Sequence, residues 1–192
     1  MAKQPTDFPL PADLPRPIDD GAAQHLPGLD MPGIILPSTK GRAVDLSALS
    51  ASRTVIYCYP MTGVPGKPLP EGWDMIPGAR GCTPQTCSFR DHYQELAEMG
   101  AEVYGLSTQT TEYQREMAER LHLPFEILSD VEFKLVDALR LPTFEVEGVR
   151  LVKRLTLVVR HGRIEHAFYP VFPPNESAGE VVGWLKAHSI PT

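Results

Sequence analysis

The run Arg53–Tyr59 (RTVIYCY) constrains this chain more than any other stretch. It is short, β-branched and aromatic, and nearly all apolar, so it reads as a strand covered on both faces. Such a strand needs a layer of structure on each side of its sheet, and the segments around it have the patterns to supply those layers. A helix is expected from Cys82 or Thr83 to Met99, with Phe89, Tyr93, Leu96 and Ala97 at helical spacing and Gly100 ending it. Ala101–Leu106 reads as a strand. Thr110 or Thr111 caps a helix to about Leu121, with Thr111 and Gln114 at capping-box spacing. Phe125–Leu128 reads as a short strand and Val131–Leu139 as a short helix. Leu155–Val159 and Arg163–Phe168 are strands joined at His161-Gly162, a hairpin signal, and Glu176–His188 is a closing helix. Near the start, Gly33–Pro37 and Arg42–Leu46 flank a Thr-Lys-Gly turn signal and suggest a short hairpin. Crossovers between parallel strands, followed by an antiparallel hairpin, make an α/β layer fold.

Length and composition narrow the function. A chain of 192 residues suits one domain with a tail, and residues 1–22 read as a Pro-rich, poorly ordered leader ahead of a domain at 23–192. The net charge is −6 with no long run of one sign, so no basic stripe is available for nucleic acid. No apolar stretch is long enough to span a membrane, and MAKQPTDFPLPADLPRP has no apolar core of a secretory signal. The expected location is the cytoplasm, where thiols stay reduced. Three cysteines, Cys58, Cys82 and Cys87, are too few and too odd a set for a disulfide scaffold, which leaves chemistry or burial.

GCTPQTC sets Cys82 and Cys87 five residues apart at the start of the expected helix, and Pro84 suits its first turn. A thiol there meets the positive end of the helix dipole and unpaired backbone N–H groups, and both favour the nucleophilic thiolate. On an ideal helix five residues amount to ~140° of rotation and a Cα separation of ~8–9 Å, against a disulfide limit of ~7 Å. Cys82 continues the inward stripe, whereas Cys87 shares the polar side with Arg90, Asp91 and Gln94, so a bridge between them requires the first turns to unwind. Two inert cysteines would look the same by composition. Zinc on Cys82, Cys87 and His92 is disfavoured because those side chains fan around the helix. A thioredoxin-type redox site would want C-x-x-C, which is absent. Cys58 lies in the apolar strand and reads as core. Arg154, opening a late strand, carries a charge it cannot lose, able to stabilise a thiolate or a developing oxyanion; a strand-end surface charge is the alternative.

With these residues in view, the chain resembles the peroxiredoxins, and among them the peroxiredoxin Q or bacterioferritin-comigratory type. The stretches that carry the resemblance are YP at 59–60, GCTPQTCSFRD at 81–91, LSD at 128–130 and KRLTLVVRHGRI at 153–164. The resemblance implies a thioredoxin-like α/β fold with an N-terminal hairpin extension and an inserted Pro/Gly-rich loop. It implies an atypical two-cysteine peroxidase with Cys82 peroxidatic and Cys87 resolving. Arg154 matches the arginine that contacts thiolate and peroxide, and Pro60 the proline that shields the pocket. Thioredoxin or a glutaredoxin is the implied reductant, and no metal, haem or flavin is implied. A resolving cysteine in the same helix removes any need for a partner chain, so a monomer or weak homodimer is expected.

The chain also departs from the family pattern Pro-x-x-x-Thr-x-x-Cys. Ala79 stands at the threonine position and Met75 at the proline position. This reads as an insertion of about 14 residues within 61–78, separating Pro60 from Cys82. Thr62 is then the candidate peroxide-binding hydroxyl, with Thr83, or no hydroxyl, as the alternatives. The insertion is either a lid with Trp73 over the pocket or a surface elaboration, and Phe172 either walls the site or packs in the core. Rival functions on the same fold are a thiol–disulfide oxidoreductase, a redox-sensing domain, and a one-cysteine peroxidase with Cys87 a bystander.

Overall fold

A computed structural model describes residues 10–191. Its strands are β1 (Ile35–Pro37), β2 (Ala43–Asp45), β3 (Arg53–Cys58), β4 (Ala101–Ser107), β5 (Glu126–Ser129), β6 (Thr143–Val146), β7 (Val149–Val152), β8 (Leu155–Arg160) and β9 (Arg163–Phe168). Its helices are α1 (Cys82–Asp91), α2 (Tyr93–Glu98), α3 (Thr111–Arg120), α4 (Lys134–Leu139) and α5 (Ser177–Ala187). Five strands form the central sheet in the order β5-β4-β3-β8-β9, with β3, β4 and β5 parallel and β8 antiparallel to both its neighbours. This is the mixed α/β, thioredoxin-like arrangement.

Every residue of β3 is buried, as its composition demands, and the strand's period of two divides them between two cores. Val55, Tyr57 and Tyr59 pack with residues of α1, α2, α3 and α5, whereas Ile56 and Cys58 pack with α4 and the β1–β2 hairpin. Opposite Tyr57, in register on β4, is Gly105. A Cβ at Gly105 would fall 2.5 Å from Ile127 Cδ1 and 2.8 Å from Tyr57 Cζ, so only glycine leaves room for the tyrosine ring. Phe89 of α1 stacks on that ring, with centroids 4.4 Å apart and planes within 7°. The seat of α1 thus depends on a glycine in the neighbouring strand of the sheet.

Several local expectations need correction. The helix from residue 82 is interrupted at His92, where φ −97° and ψ 4° leave the helical region and the ring Nδ1 lies 2.9 Å from the Ser88 carbonyl. Ala97 is exposed, not part of the apolar stripe. Thr110 caps α3 by accepting from the Tyr113 backbone N–H, and no Thr111–Gln114 capping box forms. Gln114 is instead drawn into the core, where its amide donates to Ser107 Oγ at 2.8 Å and to the Leu128 carbonyl at 2.9 Å. The β6–β7 hairpin was not anticipated; it turns at Glu147-Gly148, both at positive φ. Of the expected leader, residues 1–9 lie outside the described residues. Residues 14–22 contain no helix or strand, but Arg16 lies over the Phe172 ring at 5.0 Å. Asp20 accepts from Tyr169 Oη at 2.9 Å and pairs with Lys153 at 3.3 Å. That part of the leader is laid against the rest of the chain. Among the described residues no helix is long and apolar enough to cross a membrane.

The N-terminal hairpin is tied to the sheet edge through Glu126 of β5. Its carboxylate accepts from Arg42 Nε at 2.7 Å, from Arg42 Nη2 and from Ser38 Oγ at 2.7 Å. The Arg42 bond, ahead of burial acting the other way, holds the Glu126 pKa below its ordinary value of 4.5. A pKa lowered by folding means that the ionised form favours the folded state. That contribution is complete above the ordinary value and is lost as the pH falls through the folded-state value. Urea unfolding between pH 6 and 3 is expected to show this loss, and in Arg42→Met the acid-dependent part should shrink. An unchanged pH slope in the variant would remove the ion pair from this account.

Candidate active site

The geometry at the start of α1 follows from close packing around Gly81. That residue sits at φ 113°, and a Cβ on it would lie 2.3 Å from Pro174 Cγ. The chain therefore enters α1 pressed against the Pro174–Glu176 turn. Cys82 is the first residue of the helix and is 3 % exposed. Arg154, which immediately precedes β8, is 4 % exposed and donates from Nη2 to Cys82 Sγ at 3.2 Å. The same nitrogen reaches the carbonyls of Ala79 at 3.0 Å and Arg80 at 3.3 Å. Nη1 donates to Gln85 Oε1. The arginine is thus a buried charge aimed at sulfur, not a strand-end surface charge.

Cys82 also lines a cavity of about 370 Å³ bounded by residues 61–67, Leu69, Trp73, residues 80–84 and Arg120. Thr62 and Thr83 line the same space; Thr62 is 1 % exposed, with Oγ1 3.4 Å from Gln109 Oε1. Pro60 is buried next to it but is not among the lining residues. The inserted segment forms a wall of this cavity, with Trp73 buried against Phe144 of β6 at a centroid distance of 6.1 Å. Phe172 is half-buried under Arg16 and does not line it.

Cys87 is not on a polar face. It is 7 % exposed and belongs to the cluster of Val55, Tyr57, Tyr59 and Phe89. A helical wheel shows α1 alone, with a single buried face. Here β3, α5 and the Pro174–Glu176 turn enclose it, and every residue from Gln85 to Phe89 is buried. All three cysteines are thiols. Cys58 faces the other core, and burial, then the charge of Asp130, pushes its thiol pKa far above the ordinary value. Burial likewise raises the phenol pKa of Tyr57 and of Tyr59 beside the site, so both stay neutral. Among the described residues no three His, Cys, Asp or Glu side chains are grouped so as to hold a metal.

One residue escaped the sequence argument. Gln85 is fully buried, accepts from Arg154 and donates from Nε2 to Ser177 Oγ at 3.2 Å. Its signal was available: three residues after Cys82, it shares that residue's helix face.

The comparisons agree with this picture. A family model described as Redoxin matches residues 26–182. Peroxiredoxin Bcp of Escherichia coli (strain K12) is 28 % identical over 162 residues, covering 82 % of this chain and 94 % of that protein. The chloroplastic peroxiredoxin Q of Oryza sativa subsp. japonica is 28 % identical over 160 residues, and the match covers 83 % of this chain but only 66 % of the rice protein's length. Among solved structures, peroxidoxin BcpB from Mycobacterium tuberculosis superposes with a TM-score of 0.70 at 26 % identity, covering 88 % of this chain and all of that one.

Gln85 holds Arg154 without touching sulfur, which makes it a positioning residue. Gln85→Leu removes a buried bond to a charge, a loss of roughly 2 kcal/mol in unfolding free energy. It should also slow the reaction of Cys82 with peroxide across its pH–rate profile, which a merely structural residue would not do; Gln85→Glu, whose carboxylate would offset the Arg154 charge, should not restore it. A Gln85→Leu profile superimposable on the wild type would refute the positioning role.

Proposed function

This chain belongs to the Redoxin family, and from that membership we propose that it is a thiol peroxidase of the peroxiredoxin type, with Cys82 as its nucleophile. The observation that carries the reading is the 3.2 Å contact between Arg154 Nη2 and a sulfur that both opens a helix and lines a cavity. A fixed guanidinium and the helix N-terminus favour the thiolate. They also offer charge where an oxyanion develops. The thiolate attacks the terminal oxygen of a hydroperoxide. A sulfur–oxygen bond forms, the oxygen–oxygen bond breaks, and the departing alkoxide or hydroxide takes up a proton. Sulfur is oxidised to sulfenic acid and the peroxide is reduced to alcohol or water. Thr62, lining the same space, is the proposed hydroxyl partner of the peroxide, and Pro60 backs that wall.

In the second step Cys87 condenses with the sulfenic acid, releasing water and closing a disulfide. Both cysteines lie in the continuous helix α1, where five residues span ~8–9 Å between Cα atoms, so α1 must open for this step. A dithiol protein of the thioredoxin or glutaredoxin kind then restores both thiols by exchange. The cytoplasm is the proposed site of action, and a monomer is sufficient. The burial of Cys87 among aromatic side chains favours a second reading, in which it stays a thiol and the sulfenic acid is reduced directly.

Mass analysis after one equivalent of peroxide separates these. A Cys82–Cys87 linkage supports the two-cysteine route, and a sulfenic acid trapped by a dione reagent in wild type supports the other. In Cys87→Ser the trapped sulfenic acid is expected, Cys82→Ser should lose peroxide consumption, and Cys58→Ser should keep most of it. Near-normal consumption by Cys82→Ser would sink the proposal. Arg154→Met should slow the peroxide step by roughly 10²–10³, the usual effect of losing one oxyanion donor; a rate within threefold of wild type, about 0.7 kcal/mol, would leave Arg154 outside the reaction.

A further inference from the structure

The residue that leads into α1 has a bare surface, the face of Gly81 where a side chain would stand. Pro174 and Leu10 cover it: a Cβ there would lie 2.3 Å from Pro174 Cγ and 3.3 Å from Leu10 Cδ2. Leu10 belongs to the segment 10–20, which precedes the first core residues, Ala23 and Leu26. That segment continues across the approach to α1. Leu14 and Pro15 meet Arg80, Arg154 and Pro174 around a void of about 10 Å³. Pro17 covers Gly78, its Cβ 3.4 Å from where a Cβ of that glycine would be. Arg16 lies over the Phe172 ring at 5.0 Å. Asp20 accepts from Tyr169 Oη at 2.9 Å and from Lys153 Nζ at 3.3 Å. One segment thus joins residues 78–81, which lead into α1, to residues 169–174, which lead towards α5.

The hold is extensive but shallow. Leu10, Leu14, Pro15 and Pro17 are half-buried, whereas Ile18 is 84 % exposed. Among the described residues, no backbone–backbone hydrogen bond ties 10–20 to the rest of the chain. Pro11, Pro15 and Pro17 restrict the backbone, so laying it down costs less conformational entropy than for an ordinary loop. A stiff segment held by side chains, with no ladder behind it, can release without disturbing the sheet. The Redoxin match begins at residue 26, so this segment lies outside the part shared with that family.

We infer that residues 10–20 are a strap that holds the start of α1 closed and thereby sets how fast Cys82 can reach Cys87. Leu10, Pro17 and Asp20 act through Gly81, Gly78 and Lys153, which makes them positioning residues. Opening α1 requires Gly81 to leave its φ of 113°, and that rotation presses on the Leu10 and Pro174 side chains seated against it. The effect on rate rests on the two-cysteine route proposed above; the hold on α1 does not. The chemistry is that of the second step, in which the Cys87 sulfur bonds to the Cys82 sulfur and water leaves.

The test uses the reduced full chain without any reductant. Wild type is compared with Leu10→Gly combined with Pro17→Gly, with Asp20→Ala and, as a control on the outward side, with Ile18→Ala. Amide exchange at 82–87 should rise roughly fivefold in the first two variants, the scale of losing one half-buried leucine contact. Exchange in β4 should keep its wild-type rate, which separates release of the strap from a general loss of stability. After one equivalent of peroxide, the Cys82–Cys87 disulfide should close faster in the same two variants by a similar factor. Unchanged exchange at 82–87, a rise that β4 shares, a disulfide closing at the wild-type rate, or an equal change in Ile18→Ala would overturn the strap. If no disulfide forms in any of the proteins, the two-cysteine route fails, and the exchange rates alone decide the strap.

Discussion

A guanidinium that is 4 % exposed cannot shed its charge, so the protein around Arg154 is organised to answer it. Two backbone carbonyls, a glutamine amide oxygen and a sulfur accept its bonds, while Nε has no acceptor among the described residues. To present the carbonyls of Ala79 and Arg80 inward, the chain must then turn sharply to begin α1. Gly81, at φ 113° and packed on Pro174, makes that turn. The direction of α1, the burial of Gln85 and the place of Cys82 follow from one buried charge. In this sense the helix start is arranged around the arginine as much as the arginine is arranged around the thiol.

The parts of this arrangement that were legible in the sequence are those governed by strong local pattern. RTVIYCY declared a two-faced strand, GCTPQTC a helix start with paired thiols, and His161-Gly162 a hairpin, and all three stand where expected. What was not legible depended on contacts distant in sequence. Gln114 looked like a capping residue by spacing, but a core position opposite Leu128 claimed its amide. Cys87 looked polar because a wheel shows one helix alone, without the β3 aromatics and α5 that enclose it. The β6–β7 hairpin has short, half-exposed strands with weak alternation, and only Gly148 marked its turn.

The alternation of β3 also separates the cysteines by environment. Tyr57 and Tyr59 project to the side that holds Cys82 and Cys87, whereas Cys58 projects to the side closed by α4 and the first hairpin. On the first side, a helix terminus and a guanidinium meet sulfur; on the second, only apolar contacts and a buried Asp130 do. One chain thus holds thiols of different character, and the sheet between them keeps the difference.

Trp73, Ala79 and Leu151 form a third, small apolar cluster, with Phe144 and Ile76 packed against it, apart from the two cores that sandwich the sheet. It joins the inserted segment to the β6–β7 hairpin, and neither contributes a strand to the central sheet. The wall of the cavity therefore has its own foundation. Its length, shape and charge are open to change by substitutions that leave the sheet, α1 and Arg154 untouched. Selection acting on such a chain is free to retune what enters the chamber while conserving the reaction at its floor, because the two tasks are written in separable parts of the polypeptide.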